Sequence, residues 1–278
     1  MPSLRVATVP YVNAAPLIWG FRTGAVRDRI DLIGEPPARI PDKLRQGTVD
    51  VGLIPVIEYQ RLAGVSFLPF LCVAARRRAR SVYLACRRPL EEVRHIALDE
   101  SSRTSAALLR VVLAHRRLTG ITFTEQAPDL PAMLQRADAA LLIGDPALTS
   151  ATVGLEVYDL AAEWFAMTGL PFVFAAWAVR PGTALPDGAR PFAESLRHGL
   201  EHIDDIAREH GRRLGLPESS VADYLRQNIH HQLGPEERRS LELFFRRAHD
   251  LALIPPPRPL RFLGDEAAVT DSGERAAS

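Results

Sequence analysis

Apolar and polar positions along the first two thirds of the chain follow two alternating rhythms. Short alternating or continuous apolar runs stand at Leu4–Val9, Ile30–Gly34, Val49–Ile54, Val82–Ala85, Ile96–Leu98, Ala139–Ile143 and Val173–Ala178, and these predict strands. Between them, helical patterns are predicted over Pro16–Phe21, Pro41–Gln46, Val56–Leu62 and Thr104–Ala114. Pro41 suits a first helical turn, and Gly47 suits a stop. Thr104–Ala114 is apolar on nearly every side, which is the pattern of a buried helix. Strands alternating with helices predict an α/β fold with mostly parallel sheets.

The texture changes after Val179. Pro181–Pro191 holds three prolines and two glycines and reads as a loop. Three helical patterns follow. Leu196, Leu200, Ile203 and Ala207 keep the first; Ser219–Gln232 forms the second, with Ser219 or Ser220 as its cap. The third runs from Pro235 through Leu241, Phe244, Phe245, Ala248 and Leu251 to the stop at Pro255-Pro256-Pro257. The tail Gly264–Ser278 is small and polar and is expected to fray.

Composition narrows the functional classes. The 278 residues carry 34 Lys+Arg against 33 Asp+Glu, a net charge of +1, so nothing favours a nucleic-acid or anionic-membrane partner. No apolar run approaches the ~18 residues of a membrane-spanning helix. Two cysteines, Cys72 and Cys86, are too few for a disulfide framework or a zinc cluster. Met1–Ala7 alternates like a strand and lacks a secretory pattern, so a cytoplasmic location is expected.

Four segments carry more polarity than packing needs. Pro10-Tyr11-Val12-Asn13 follows the first strand, where open α/β sheets bind ligands. Asn13 can hold a hydroxyl or a carboxylate, or it can simply cap the next helix. Asp99-Glu100-Ser101-Ser102-Arg103-Thr104-Ser105 lies between the strand Ile96–Leu98 and the buried helix; hydroxyls and free amides meeting there make an anion site, with ordinary capping as the alternative. Gly144-Asp145 follows Ala139–Ile143, and Asp145 is either functional or an N-cap. Thr168-Gly169 precedes the strand holding Trp177. There is no Gly-x-Gly-x-x-Gly after a strand, no P-loop, no Gly-x-Ser-x-Gly and no His-Glu-x-x-His. His230 and His231 are adjacent and would chelate poorly. The inferred site is polar, rich in hydroxyl and amide groups, and poor in acids and bases.

Taken together, PYVNAAPL (Pro10–Leu17), GTVDVGLIPVIEY (Gly47–Tyr59), RSVYLA (Arg80–Ala85), ALDESSRTSAALLRVVL (Ala97–Leu113), ALLIGDPAL (Ala140–Leu148) and TGLPFVFAAW (Thr168–Trp177) resemble the chorismate dehydratases of the futalosine route to menaquinone. The resemblance implies a two-lobed α/β fold like the type II periplasmic binding proteins, with a helical C-terminal part. Residues 1–81 plus 178–278 would form lobe one, and 82–177 lobe two, with hinges near Ser81 and Trp177. It implies a lyase that removes water from chorismate, with no cofactor and no metal, acting as a monomer or homodimer. Asn13 and Asp145 would be catalytic. Tyr11, Ser81, Val82, Ser102, Arg103, Thr104, Ser105, Gly144, Thr168 and Gly169 would bind substrate. The proton acceptor would be either Asp145 or the substrate's own enolpyruvyl carboxylate. Two other readings share the fold: 1,4-dihydroxy-6-naphthoate synthase and a non-catalytic receptor for small carboxylates. The synthase family has a His-Glu pair where this chain has Gly144-Asp145, and its His serves as base.

Overall fold

The computed structural model describes residues 3–24 and 30–264. In chain order its elements are β1 (Leu4–Thr8), α1 (Ala15–Thr23), β2 (Ile30–Gly34), α2 (Ile40–Gln46), β3 (Val51–Pro55), β4 (Ser66–Ala75), β5 (Val82–Cys86), β6 (His95–Asp99), α3 (Thr104–His115), β7 (Thr122–Gln126), α4 (Leu130–Arg136), β8 (Ala139–Ile143), α5 (Gly144–Thr149), β9 (Glu156–Asp159), α6 (Leu160–Thr168), β10 (Phe172–Val179), α7 (Arg190–Glu201), α8 (Ile203–Leu214), α9 (Glu218–Asp223), β11 (His230–Leu233) and α10 (Pro235–Asp250). The expected tail beyond Gly264 lies outside the described residues. Among those described, no helix is long and apolar enough to cross a membrane.

The strands form two sheets, ordered β11-β4-β10-β3-β1-β2 and β7-β6-β8-β5-β9. Both are mixed, where the sequence pattern predicts mostly parallel sheets. β1 runs parallel to β2 and β3, while β10 is antiparallel to β3 and β4. The second sheet pairs β6 parallel with β7 and β8, and β5 antiparallel with β8 and β9. The direction of β10 follows from its route. The chain leaves the first sheet at the end of β4 and returns beside that same strand, so the two neighbours point opposite ways. β3 and β5 are buried at every position, as expected for strands covered on both faces.

Three of the C-terminal expectations change. The helix expected over Ser219–Gln232 is α9, a wide π-turn at Tyr224–Asn228, and then β11, which pairs with β4. Pro217, not Ser219 or Ser220, stands at the cap of α9. The first C-terminal pattern is likewise two helices, turning at His202.

Two lobes follow from the two sheets. β10 pairs in the first sheet from Phe172 onward, so residues 169–171 link α6 back to that sheet. Residues 76–81 link β4 of the first sheet to β5 of the second. An apolar seam joins the lobes: Trp164 of α6 packs edge-on against Phe172 and Phe244 at ring-centroid distances of 5.4 and 6.1 Å. Its Nε1 donates to Ser240 Oγ of α10 at 3.0 Å.

Candidate active site

A cavity with about 520 Å³ of space unfilled by atoms lies where the ends of β1, β3 and β8 face the start of α3. Each lobe supplies part of its wall. From lobe one come Val9, Tyr11, Asn13, Leu53, Val73 and the β10 pair Phe174-Ala175; from lobe two come Val82, Ser101, Ser102, Arg103, Thr104, Ser105, Ile143 and Gly144. The fold thus brings eight of the expected site residues into one cavity: Tyr11, Asn13, Val82, Ser102, Arg103, Thr104, Ser105 and Gly144. No described residue lining it is an Asp, Glu, His or Lys.

The start of α3 is built to receive an anion. The first amides of a helix have no intrahelical acceptor and carry the positive end of its dipole. Arg103 stands at the cap position and makes no side-chain capping bond, so the hydroxyls here are not used as caps. Ser102 Oγ is buried and has no protein partner. A buried hydroxyl left unpaired costs free energy that a ligand can recover. Thr104 Oγ1 accepts the Ile57 amide across the cleft at 3.3 Å, which leaves its own proton free to donate. Arg103 lies 3.9 Å from the buried Glu58 of lobe one.

Asn13 is held from behind. It sits in a short 3-10 turn over Val12–Ala14 and does not cap it. Its carbonyl accepts from His231 Nε2 at 2.8 Å; because a carbonyl cannot donate, the proton belongs to Nε2. Burial lowers the pKa of His231 to about 4, so the ring is neutral near pH 7. The Asn13 side chain also hydrogen-bonds to the Tyr224 hydroxyl, whose pKa burial pushes well above its ordinary value. Tyr224 in turn donates to Ser81 Oγ at 2.6 Å.

Gly144 owes its lack of a side chain to a neighbour. Its φ is +63°, and a Cβ there would lie 2.7 Å from the Tyr11 ring. The Tyr11 hydroxyl is 3.2 Å from Ser101 Oγ, and Ser101 donates to Asp99 through both amide and hydroxyl, at 2.9 and 2.6 Å. Burial raises the pKa of both Tyr11 and Asp99. A His at position 144 would have to displace the Tyr11 ring.

Four expected site residues stand elsewhere. Asp145 is neither the cap of α5, a place held by Ile143, nor part of the cavity wall. Its oxygens face lobe one, where Oδ1 accepts the Val12 amide at 2.9 Å and Oδ2 accepts Arg213 at 2.5 Å. Arg213 also donates to Pro10 O at 3.2 Å and to His210 Nδ1 at 3.0 Å. Ser81 is fully buried behind the wall; its carbonyl accepts from the Gly144 amide at 2.8 Å. Thr168 and Gly169 end α6. Thr168 donates to Trp164 O at 2.8 Å, and Gly169 takes the left-handed conformation at the C-cap with φ +70°. Ser101 lies in the polar segment singled out before the buried helix; Val73 and the Phe174-Ala175 pair as wall residues, and His231, Tyr224 and Arg213 as supports, carry no such mark in the sequence. The Phe174-Ala175 pair lay inside the quoted TGLPFVFAAW block; Arg213 and Tyr224 carried no local signal.

Comparison with known proteins places this geometry. The chain matches the menaquinone biosynthesis family model over residues 4–250. It is 31% identical over 256 residues to a chorismate dehydratase of Thermus thermophilus, covering 84% of this chain and 91% of that protein. It is 24% identical to a chorismate dehydratase of Campylobacter jejuni, covering 88% of this chain and 97% of that protein. Among solved structures, protein AF1704 of Archaeoglobus fulgidus superposes with a TM-score of 0.77 at 19% identity, covering 91% of this chain and 98% of its own. The periplasmic aliphatic sulphonate binding protein SsuA of Escherichia coli superposes at 0.65 with 18% identity, covering 95% of each chain. At those identities the structures speak for the fold, which is that of the periplasmic binding proteins. The family match over most of the length and the Thermus relative together show that the chain belongs to the menaquinone-biosynthesis family of the chorismate dehydratases.

Proposed function

We propose that the chain removes water from chorismate, giving 3-[(1-carboxyvinyl)oxy]benzoate, and that it does so in the cytoplasm, a location taken from the biosynthetic role of its relatives. The observation that carries the mechanism is a cavity wall furnished with amides and hydroxyls but with no carboxylate or imidazole among its described residues. Loss of the C3 proton and the C4 hydroxyl aromatises the ring, so the driving force lies in the substrate. The protein has to orient it and stabilise developing charge.

In this reading one substrate carboxylate docks at the start of α3, on the free amides, Ser102 Oγ and the Thr104 and Ser105 hydroxyls. The second meets lobe-one groups. The Asn13 amide donates to the C4 oxygen as that C–O bond breaks. The enolpyruvyl carboxylate, tethered close to C3, takes the proton; tethered and well-aligned groups reach effective molarities of about 10⁵–10⁸ M. The proton and the departing hydroxide leave as water. Asp145 is a poor rival for the base, because Val12 and Arg213 occupy its oxygens and it lies outside the wall. Tyr11 over Gly144 fills the room that the synthase base would need.

Purified chain incubated with chorismate and followed by absorbance and mass spectrometry tests this. The expected product is aromatic and one water lighter than chorismate, formed without an added cofactor. Chorismate bound but recovered unchanged would support a receptor, and a strict requirement for a nucleotide would overturn the mechanism.

A further inference from the structure

The sequence His198-Gly-Leu-Glu201-His202 closes α7, on a surface that the proposed reaction does not use. One ligand atom from each of His198, Glu201 and His202 lies within 4.8 Å of the other two. His198 sits three and four residues before Glu201 and His202, and the non-helical backbone of His202 at the C-cap lets its ring meet the other two although it directly follows Glu201. The two imidazoles are half-buried and their centroids are 4.1 Å apart.

Hydrogen bonds fix which nitrogens are bare. Thr23 Oγ1 gives its proton to Trp19 O at 2.9 Å, so it can only accept from His198 Nε2 at 3.3 Å, which leaves His198 Nδ1 with a free lone pair. His202 Nδ1 lies 2.8 Å from the His198 carbonyl and must donate to it, which frees His202 Nε2. Metal-binding imidazoles are held this way, with the far N–H bonded to a fixed acceptor. Glu201 pairs with Arg197 at 2.8 Å, but both side chains are exposed, so the pair is weak and easily exchanged. The end of a helix is the negative end of its dipole and favours a cation.

We propose that His198, Glu201 and His202 form a binding site for a first-row divalent transition metal. Two imidazoles and one carboxylate suit Zn²⁺, Ni²⁺ or Cu²⁺ rather than the oxygen-seeking Mg²⁺ or Ca²⁺. Water completes the shell on the open side. His202 is the residue between α7 and α8, so the metal ties that corner together and stabilises the folded chain by mass action. It takes no part in the dehydration.

Calorimetric titration of the metal-free full chain with Zn²⁺ tests the site, with Cu²⁺ spin resonance reporting nitrogen ligands. The expected result is one Zn²⁺ per chain and a higher melting temperature in its presence. His202→Gln and His198→Gln should lose both effects, and the exposed His115→Gln should keep them. Thr23→Val removes the acceptor behind His198 and should weaken binding by about tenfold. Metal-free melting of each variant confirms that it folds, and His202→Gln should retain the turnover of the metal-free enzyme. Zn²⁺ binding of undiminished affinity in folded His198→Gln and His202→Gln, or no saturable binding to the unaltered chain, would overturn the assignment.

Discussion

Replacing Arg213 with Met tests how the two lobes are held together. The Asp145 side chain of lobe two is 8% exposed and accepts two lobe-one donors, the Val12 amide and the Arg213 guanidinium. Stripping one partner from a buried ion pair costs about 3–5 kcal/mol when the remaining charge is left uncompensated. Here the Val12 amide stays, and Arg213 is 47% exposed, so water can reach the vacated side. Those two facts reduce the expected loss to about 1–2 kcal/mol. Asp145→Asn loses the charge-assisted bond and turns its own NH₂ toward either Arg213 or Val12, a penalty of about 1.5–3 kcal/mol. In the double variant the two losses overlap, and denaturant unfolding of the four proteins should give a coupling of about 1 kcal/mol. Because the pair spans the cleft, the same variants should bind the product more weakly, by about tenfold for each 1.4 kcal/mol that closure loses. Small-angle scattering should show a larger radius of gyration for the variants. Strictly additive losses, with affinity and dimensions unchanged, would refute a role for this pair in holding the lobes closed.

Four further outcomes are expected. Asn13→Ala should fold normally and lose about 10²–10³ in turnover, the usual cost of one preorganised donor; Asp145→Asn should lose less, and the reverse order would make Asp145 the base. Thr104→Val should lose about 1.5–3 kcal/mol of substrate binding by calorimetry, the worth of a hydrogen bond to a charged group. Gly144→Ala should be destabilised by at least the roughly 1–2 kcal/mol of a left-handed non-glycine residue, and by more because its Cβ meets the Tyr11 ring; Tyr11→Ala in the same chain should relieve only the second part in thermal melts. His231 stays neutral in the folded protein down to about pH 4 but protonates near its ordinary 6.5 when unfolded. Stability is therefore full above about pH 6.5 and falls as the pH drops toward 4, and His231→Gln should flatten that decline in melting temperature.

Much of the frame of both sheets was legible because continuous or alternating apolar runs bounded by Gly and Pro leave few options. β2 and β8 match their expected ends, and α3 differs by one residue. β4 was hidden by Pro69 inside its run. In the sheet, Pro69 falls at a bulge, where Phe67 pairs with Ala178 and Cys72 already with Ala176, so the missing amide does no harm. β11 was hidden for the opposite reason: helical spacing continues through Gln232, yet pairing with β4 draws His230–Leu233 into a strand. Of the site, the parts next to strand ends and the α3 start were readable, since hydroxyls crowded at one helix terminus exceed what capping needs. The environment of Asp145 was not, because its partners Val12 and Arg213 lie far away along the chain and meet it only in the folded molecule. Thr168-Gly169 precedes a strand and also terminates α6, a local role that its place before the strand does not reveal.

β4 and β10 are antiparallel neighbours, with Ala75 opposite Phe172, and everything between them belongs to the second sheet or to the crossings. This sets an order of assembly during synthesis. When residue 168 leaves the ribosome, the second sheet has all five of its strands and α3, α4, α5 and α6 to cover it. The first sheet, though begun at residue 4, still lacks β10, the strand that joins β4 to β3. Domains fold as units while the chain grows, so the inserted lobe should be finished first and the earliest-made strands should wait for a segment made much later. Released chains that end at residue 172 should show protected amides in β5, β6 and β8 while those of β1 and β3 still exchange freely; protection in β1 and β3 at that length would show that the N-terminal strands do not need β10. The strands that begin the chain are thus completed by a piece that must first travel out through the other lobe and back.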